Sequence, residues 1–432
     1  MHMPGAAADR AIVTPAEAAQ LAWQRLQPEG WPLPRQAFPE GSALVGGAVR
    51  DALLNRLGPA PDLDLVVEGD AIALFRQLSR RHGGTAVVLD GERSIARLVI
   101  QGWSVDLARR EGSSLEADLH RRDYTVNAMA LPLAEPSQLV DPLQGLTHLG
   151  QGVLVAVAER NLLDDPLRLL RGLRLASELA FELDPQTLRW MEQHHQAMAT
   201  VAGERVLAEL EKLAAAPSGE RELALCVHLS LLNPWRQTIA AQEEETGATL
   251  LRSCSEPSAL ALGLSQAEQA QALPLARLAA VLDGPSLQQL RSSRKLQHRL
   301  NGLRRWQQQL GTTAPWTAAE ALSEQERLQL HRDLEADLPA LLLGWPEGIA
   351  QPWLARWRQS DDPLFHPRPA IDGSSLQREL GIPGSPALGK LLLHLMQEQA
   401  FGRLQSRSEA LQIARDWLRS AGRCSERAPR RD

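Results

Sequence analysis

Cysteine, lysine and long apolar runs are all scarce in this sequence of 432 residues. The three cysteines, Cys226, Cys254 and Cys424, are scattered, which excludes a disulfide framework and a zinc motif and favours a reducing compartment. No run approaches the ~20 apolar residues that a membrane helix needs. The first ten residues, MHMPGAAADR, show no secretory pattern. We therefore expect a soluble, cytoplasmic protein with no membrane contact.

The basic residues are almost all arginine, because lysine occurs only at Lys212, Lys295 and Lys390. A formal net charge of -6 excludes a wholly basic nucleic-acid-binding surface but leaves room for local patches. The planar guanidinium of arginine suits phosphates and base edges. A GC-rich coding sequence would explain most surface arginines, so the excess of arginine does not by itself indicate RNA binding.

The pattern of apolar residues divides the chain into a small mixed region and a helical remainder. Short apolar runs between residues 43 and 106 predict strands, with turns at Asp90-Gly91 and Gly102. Residues 71–82 carry apolar side chains at helical spacing. After about Leu115, helical spacing continues to the end. A chain of this length predicts two to four units at about 150 residues per domain.

Two aspartates in PDLDLVVEG, Asp62 and Asp64, carry the strongest chemical signal. Residues two apart on a strand point to the same face, so both carboxylates can share divalent cations. Without cations their mutual repulsion is costly. Asp106, on a strand-like run after Trp103, offers a third carboxylate, and three such acids around two metal ions suit nucleotidyl transfer. The alternatives are a solvated Pro61-Asp62 turn and an outward-facing Asp106.

A glycine pair precedes these aspartates by little more than one helix. Gly46-Gly47 closes an apolar run and opens a helical stretch from Ala48 to Leu57. Backbone N–H groups at such a turn can face a triphosphate, with Arg50 one turn further along. Most glycine pairs are only turns, so the significance of this pair lies in its place before the two aspartates.

Four motifs in this order resemble the class II tRNA nucleotidyltransferase family, which includes CCA-adding enzymes and bacterial poly(A) polymerases. They are VGGAVRD, DLDLVVEG, VDLA and LHRRDYTVNAMA. The match continues through DPLQGL, DDPLRLLRGLRLASELAFELDPQT and GERVLAELEKL, and the stretch from Ala370 to Leu418 resembles the family's tail. The resemblance implies an α+β fold. A small mixed five-stranded head of the polymerase-β-like nucleotidyltransferase type would be followed by an all-α neck, body and tail.

This fold predicts five segments along the chain. They are an N-terminal helix and connector (1–40), a nucleotidyltransferase head (41–150), a helical neck with a base-selecting motif (151–216), a helical body (217–345) and a helical tail (346–432).

The resemblance also implies roles for the matched positions. Asp62, Asp64 and Asp106 would be catalytic and would hold two Mg2+ ions. The nucleotide-binding set would be Gly46, Gly47, Arg50, Arg122, Asp123, Asn127, Asp165, Arg168, Arg171 and Arg174. The alternative for Arg122 and Asp123 is a solvated helix end.

Asp165 and Arg168 match the family's base-selecting motif. Asp165 can accept a hydrogen bond from the amino group of cytosine or adenine, while Arg168 donates one to the neighbouring ring acceptor. Guanine and uracil present a ring N–H to that arginine and should be rejected. The alternative is a helix capped by Asp165 with Pro166 at its first position. Asp164 departs from the family, which usually has Glu there.

The connection after Asp106 is short, because only Arg109 to Ser114 join it to the next predicted helix. Family members that add the terminal A typically have a long flexible loop here, so this chain resembles the CC-adding subgroup. We predict an enzyme that adds two cytidines from CTP to the tRNA 3′ end and releases pyrophosphate, with a separate enzyme adding the A. Complete CCA addition, A addition or poly(A) synthesis with ATP are alternatives within the family. A non-catalytic RNA-binding helical protein is the alternative from another class.

Overall fold

The computed structural model describes residues 14–135, 138–236, 241–311 and 313–425. Contacts group them into two compact units, one of residues up to 209 together with 225–234, the other of 210–224 together with residues from 235 onward. None of the helices in the described ranges has both the length and the apolar character needed to cross a membrane. The division into five segments stays a prediction.

The first unit opens with the expected short helix, α1 (Pro15–Leu26). Thr14 caps it in a reciprocal arrangement with Glu17, and Pro15 takes the first helical position, where its missing N–H costs nothing. Arg25 then donates from Nη1 to the carbonyl oxygens of Ala52 and Leu53, at 2.8 and 2.9 Å. These carbonyls end the next helix, so α1 closes its C-terminus.

A six-stranded sheet forms the centre of this unit. Its strands are β1 (Ala43–Val45), β2 (Leu63–Val67), β3 (Thr85–Asp90), β4 (Ile95–Ile100), β5 (Trp103–Arg109) and β6 (Ala130–Pro132). The order is β3-β4-β5-β2-β1-β6, and β2 pairs with β5 in parallel while the other pairs are antiparallel. Two helices accompany these strands, α2 (Gly47–Leu53) and α3 (Ala71–His82).

The mixed α+β class is confirmed, but the expected count of five strands is wrong. The sixth strand, β6, has three residues and pairs with β1, from Ala43↔Pro132 to Val45↔Ala130. Three residues are too few to show strand alternation in the sequence, and the open edge of β1 supplies the pairing instead. Helix α2 is also shorter than expected, because Asn55 turns left-handed with φ +56° soon after its end.

The two predicted turns are confirmed, and each joins a pair of antiparallel strands. The Asp90 side chain accepts from the backbone of Glu92 and Arg93, which closes the β3–β4 turn. Gln101 and Gly102 join β4 to β5 with φ of +51° and +83°, as a two-residue hairpin turn requires. This turn sets the register of the two strands that carry Asp106 and its neighbour.

The two faces of the sheet differ in character. On β4, Ala96, Leu98 and Ile100 are buried, and α3 packs against this strand with its buried residues. Arg97 and Val99 alternate with them and are exposed. Because side chains alternate along a strand, the helix covers one face and leaves the other for polar groups.

The rest of the first unit is mainly helical, as predicted. Its helices are α4 (Leu115–Leu119), α5 (Gly145–Gln151), α6 (Glu159–Asp164), α7 (Leu167–Leu179), α8 (Pro185–Gln193) and the start of α9 (Gly203–Ala215), and two short strands, β7 (Val153–Leu154) and β8 (Glu182–Leu183), pair in parallel. Tyr124 is fully buried, and its hydroxyl donates to the carbonyl oxygen of Arg168 at 2.7 Å. A Cβ at Gly172 would lie 2.0 Å from that hydroxyl oxygen, so glycine is what lets α7 approach the ring.

The remaining helices are α10 (Gly219–His228), α11 (Ala241–Ser253), α12 (Glu256–Ala261), α13 (Gln266–Val281), α14 (Gly284–Gln289), α15 (Arg294–Leu310), α16 (Pro315–Glu320), α17 (Glu324–Asp333), α18 (Leu338–Leu342), α19 (Glu347–Trp357), α20 (Gly373–Leu380), α21 (Pro386–Ala400) and α22 (Arg407–Ser425). In the second unit the buried Arg277 donates to the carbonyl oxygens of Cys254, Ala214 and Ala216, and pairs with Glu220. One arginine therefore joins three chain segments.

Candidate active site

The acidic pair lies at the start of β2, beside the third predicted acid. Asp62 is exposed just before the strand, and Asp64 is half-buried within it. Asp64 pairs in register with Asp106 on the parallel strand β5. Burial, and then the negative charges of Asp106 and Asp62, raise the pKa of Asp64 to about 6, although Arg122 opposes the shift. This carboxylate therefore carries negative charge that its surroundings do not fully compensate.

Asp106 has a cation of its own. Arg97 grips it with two hydrogen bonds, Nε to Oδ1 at 2.7 Å and Nη2 to Oδ2 at 2.8 Å. The two residues face each other across the β4–β5 hairpin, where Arg97↔Asp106 is a register pair. Arg97 was not among the predicted site residues. It could have been found from the sequence, because Arg97 and Asp106 are equally far from the Gln101-Gly102 turn and therefore face each other across the hairpin.

The acids fit a divalent cation in part. Carboxylate oxygens are the ligands that Mg2+ prefers, and the pKa of Asp64 is raised by its burial and then by repulsion from Asp106, which a cation would relieve. Asp62 and Asp64 thus have the right chemistry and spacing. Both oxygens of Asp106 are taken by Arg97, and within the described ranges no three acidic, histidine or cysteine side chains form a group that could hold a metal ion.

The glycine turn lies against the acidic pair, as its order in the chain predicts. Gly46 has φ +75°, which favours glycine, and a Cβ there would lie 3.4 Å from both Asp64 Oδ2 and Arg122 Nη1. Arg122 is held by Asp118 at 3.1 Å. Its buried Nε has no hydrogen-bond partner among the described residues. The turn therefore has a guanidinium beside it with an unused N–H, which suits an anionic ligand.

Arg50, Asn127 and Asp123 are joined in one polar chain. Arg50 binds the neighbouring Asp51 through Nε and Nη2, and its Nη1 donates to Asn127 Oδ1 at 2.7 Å. Asn127 in turn donates to Asp123 Oδ1 at 3.2 Å. Three predicted nucleotide-binding residues therefore meet, but the guanidinium of Arg50 is engaged within the protein.

Asp123 also connects this hydrogen-bonded group of side chains to helix α7. Arg171 Nη2 lies 3.1 Å from Asp123 Oδ2. Burial alone would raise the pKa of Asp123, but Arg171 and the hydrogen bonds from Tyr124 N and Asn127 outweigh it, so the pKa is lowered. Asp123 is thus a buried carboxylate held in its charged form. Arg174, three residues further along, instead pairs with Glu178 and Glu209, each at 2.6 Å.

Of the two predicted base-reading residues, Asp165 lies between α6 and α7, and Arg168 lies in the first turn of α7. Arg168 donates from Nη1 to the carbonyl oxygen of Asn161 at 2.8 Å, and Asp165 Oδ2 accepts from Arg205 Nη2 at 3.0 Å. The Asp165 side chain does not cap α7, which has Pro166 at its N-cap and no side-chain cap bond. The capping alternative for Asp165 is therefore not what the structure shows.

Asn161 connects this region to the segment that carries Arg122. Its Nδ2 donates to the carbonyl oxygens of His120 and Arg122, at 2.8 and 2.6 Å, while its own carbonyl accepts from Arg168. Sequence reasoning missed both Asn161 and Arg205. Arg205 lies in GERVLAELEKL, one of the matched motifs, which was its only signal.

The short connection after β5 is closely tied to its surroundings. Arg110 donates from its backbone to Val67 O at 2.9 Å and pairs with Glu68 at 2.6 Å. Glu111 receives a contact from Arg121 at 2.7 Å, and its backbone N–H donates to Asp118 at 2.9 Å. These contacts hold the short link against β2 and α4.

Two family profiles match parts of the chain. One, described as the poly A polymerase head domain, covers residues 42–155, and the other, described as a probable RNA and SrmB- binding site of polymerase A, covers residues 180–241. A CC-adding tRNA nucleotidyltransferase of Synechocystis sp. is 33% identical over 88% of this chain and 94% of its own length. A protein of the same name from Thermus thermophilus is 32% identical over 89% of this chain and 94% of its own length.

Solved structures share the fold at lower identity. The Thermotoga maritima CCA-adding enzyme complexed with tRNA-CCA aligns with a TM-score of 0.67 and 23% identity over 93% of this chain and 98% of that one. The Bacillus stearothermophilus CCA-adding enzyme in complex with CTP aligns with a TM-score of 0.65 and 22% identity over 96% and 99%.

Proposed function

We propose that this chain, which belongs to the class II tRNA nucleotidyltransferase family, adds two cytidines from CTP to the 3′ end of tRNA. Two full-length relatives named CC-adding tRNA nucleotidyltransferase support the activity. A tRNA substrate also fits the expected cytoplasmic location. The observation that carries the choice of CC over CCA is the short, tied link after β5. A separate enzyme would then add the terminal A.

The chemistry proposed for the site is transfer of a nucleotidyl group. The 3′ hydroxyl of tRNA attacks the α-phosphorus of CTP in line with the leaving pyrophosphate. Asp62 and Asp64 would hold two Mg2+ ions, which when bound stabilise the attacking and leaving oxygens. Arg122, whose Nη1 lies beside Gly46, would donate to the triphosphate from that atom. Asp106 would join the metal site after Arg97 releases it.

Base choice would rest on Asp165 and Arg168. Within the described ranges each makes one side-chain hydrogen bond to the protein, which leaves Asp165 Oδ1 and Arg168 Nη2 for a ligand. An ionised carboxylate only accepts and a guanidinium only donates, so together they complement the amino group and ring acceptor of cytosine. Uracil reverses both groups on that edge. Arg171 and Asn127 would support the site through Asp123.

Helices of the second unit would contact the tRNA through phosphates, so that its recognition depends on shape and charge. We assign these phosphate contacts to the helices as a group and not to individual residues.

The test is single-nucleotide addition on defined tRNA ends. A tRNA lacking CCA should gain two residues with CTP, and a tRNA ending in CC should gain none with ATP. Efficient addition of A would overturn the CC assignment and favour complete CCA addition. Asp62→Ala with Asp64→Ala should abolish incorporation while leaving the fold, measured by circular dichroism, intact. Undiminished incorporation in this variant would refute the metal mechanism. Absence of any incorporation by the unaltered chain would instead leave RNA binding as the function.

A further inference from the structure

The position of Arg205 is unfavourable for helix α9 itself. It is the third residue of α9, in the first turn, where the helix dipole disfavours a positive charge. Its Nη2 donates to Asp165 Oδ2 at 3.0 Å, 40 residues earlier in the chain. The pair is partly open to solvent, with side-chain exposures of 54% for Arg205 and 29% for Asp165. An ion pair this exposed contributes little to stability, so a role in stability does not account for it.

The backbone of Asp165 is already restricted. Asp165 and Pro166 are all that separate α6 from α7, and Asp165 is extended, with φ -141° and ψ 94°. The proline that follows disfavours the helical conformation at this residue. The direction of the Asp165 carboxylate therefore depends on the side-chain torsion angles, and the hydrogen bond from Arg205 restrains these angles.

The contact leaves one oxygen of Asp165 available. Oδ2 is occupied by Arg205, while Oδ1 has no hydrogen-bond partner among the described residues. The Arg168 side chain is restrained in a similar way, because its Nη1 donates to the backbone carbonyl of Asn161. Both proposed base-reading side chains are therefore held from one side and open on the other.

We infer that Arg205 is a positioning residue for nucleotide selection, which holds the Asp165 carboxylate as the acceptor for the amino group of the incoming cytosine. The inference rests on the proposed function, because it requires that CTP binds at Asp165 and Arg168. Without Arg205 the carboxylate can rotate, or pair with Arg168 one helical turn away, and either movement removes the acceptor from the base.

The experiment uses the full chain and a tRNA that lacks only its last C and A, so that one cytidine is added. In Arg205→Ala the KM for CTP should rise on the order of ten- to hundredfold, the cost of a misplaced group, with a smaller change in kcat. The preference for CTP over UTP, measured as the ratio of their kcat/KM values, should decrease. Arg205→Lys should recover part of the loss, since it keeps the charge but not the planar fork. The matched control is Arg189→Ala, because Arg189 is exposed and bonds only Gln186 within the described ranges.

A double-mutant comparison separates positioning from other roles. If Arg205 acts through Asp165, Arg205→Ala should add no further rise in the KM for CTP on an Asp165→Ala background. Additive effects would overturn the inference, as would an unchanged KM for CTP in Arg205→Ala. A raised KM for tRNA alone would assign Arg205 to RNA phosphates instead. Failure of the wild-type chain to add cytidine would refute the proposed function itself, and is distinguishable because it precedes any variant.

Discussion

Replacing Gly172 by alanine tests how α7 is seated against the segment of Tyr124. A Cβ at this position would lie 2.0 Å from the Tyr124 hydroxyl oxygen and 2.5 Å from Met191 Cε, closer than side chains approach in real proteins. Overpacking a buried site costs about 1–3 kcal/mol, and losing the Tyr124–Arg168 hydrogen bond adds about 1 kcal/mol. We therefore expect Gly172→Ala to lower the free energy of unfolding of the first unit by about 2–4 kcal/mol.

The assay is thermal or urea unfolding followed by circular dichroism, with Gly150→Ala as the control. Gly150 lies in α5 with open space around its would-be Cβ, so alanine there should be neutral or stabilising by up to about 1 kcal/mol. Adding Tyr124→Phe to Gly172→Ala removes the nearest clashing atom, and the double variant should lose less stability than the sum of the two single variants. Wild-type stability in Gly172→Ala, or an equal loss in Gly150→Ala, would refute the steric explanation.

Three further predictions concern stability. Burial, and then Arg356, lower the pKa of His331 to about 3 from an unfolded value of 6.5. Between these two pH values His331 is protonated in the unfolded chain but not in the folded one. The free energy of unfolding should therefore decrease by about 1.4 kcal/mol for each unit by which the pH is lowered from 6.5 toward 3. His331→Phe should flatten that slope in urea melts at pH 7 and 5, and an equal slope would contradict the assignment. Arg277→Met should lower the free energy of unfolding by about 3–5 kcal/mol, because it leaves the charge of Glu220 unpaired in a largely buried site. Adding Glu220→Gln should restore part of the lost stability, and no restoration would exclude the unpaired charge as the cause. Arg25→Ala should cost about 1–2 kcal/mol, and Arg25→Lys less, by uncapping α2; equal melts for both variants would argue against capping.

The sequence predicted much of the head because its signals are local. The Gln101-Gly102 turn determines which strands pair, and counting equally to either side of it places Arg97 opposite Asp106. Thr14 and Glu17 likewise mark the start of α1 within four residues. Such features depend on neighbours in the chain, and the physical rules for turns and caps apply to them directly.

Other features depend on contacts between distant residues and were not predictable in this way. Asp165 meets Arg205 across 40 residues, and Asn161 reaches back to His120 across 41. Strand β6 exists because β1 offers an edge, not because Ala130–Pro132 favours a strand. Arg174 was predicted to bind the nucleotide, and its hydrogen bond to Glu209, 35 residues further along the chain, likewise depends on packing.

The tied link after β5 also bears on how such an enzyme can change over time. Arg110 and Glu111 are held by Glu68, just after β2, and by Asp118 and Arg121, and Asp118 also pairs with Arg122. Point substitutions within the link cannot lengthen it, and an insertion would have to break several of these contacts at once. Acquiring a terminal-A activity would therefore pass through intermediates with a loosened active site. A lineage that divides the work between two enzymes would tend to keep that division.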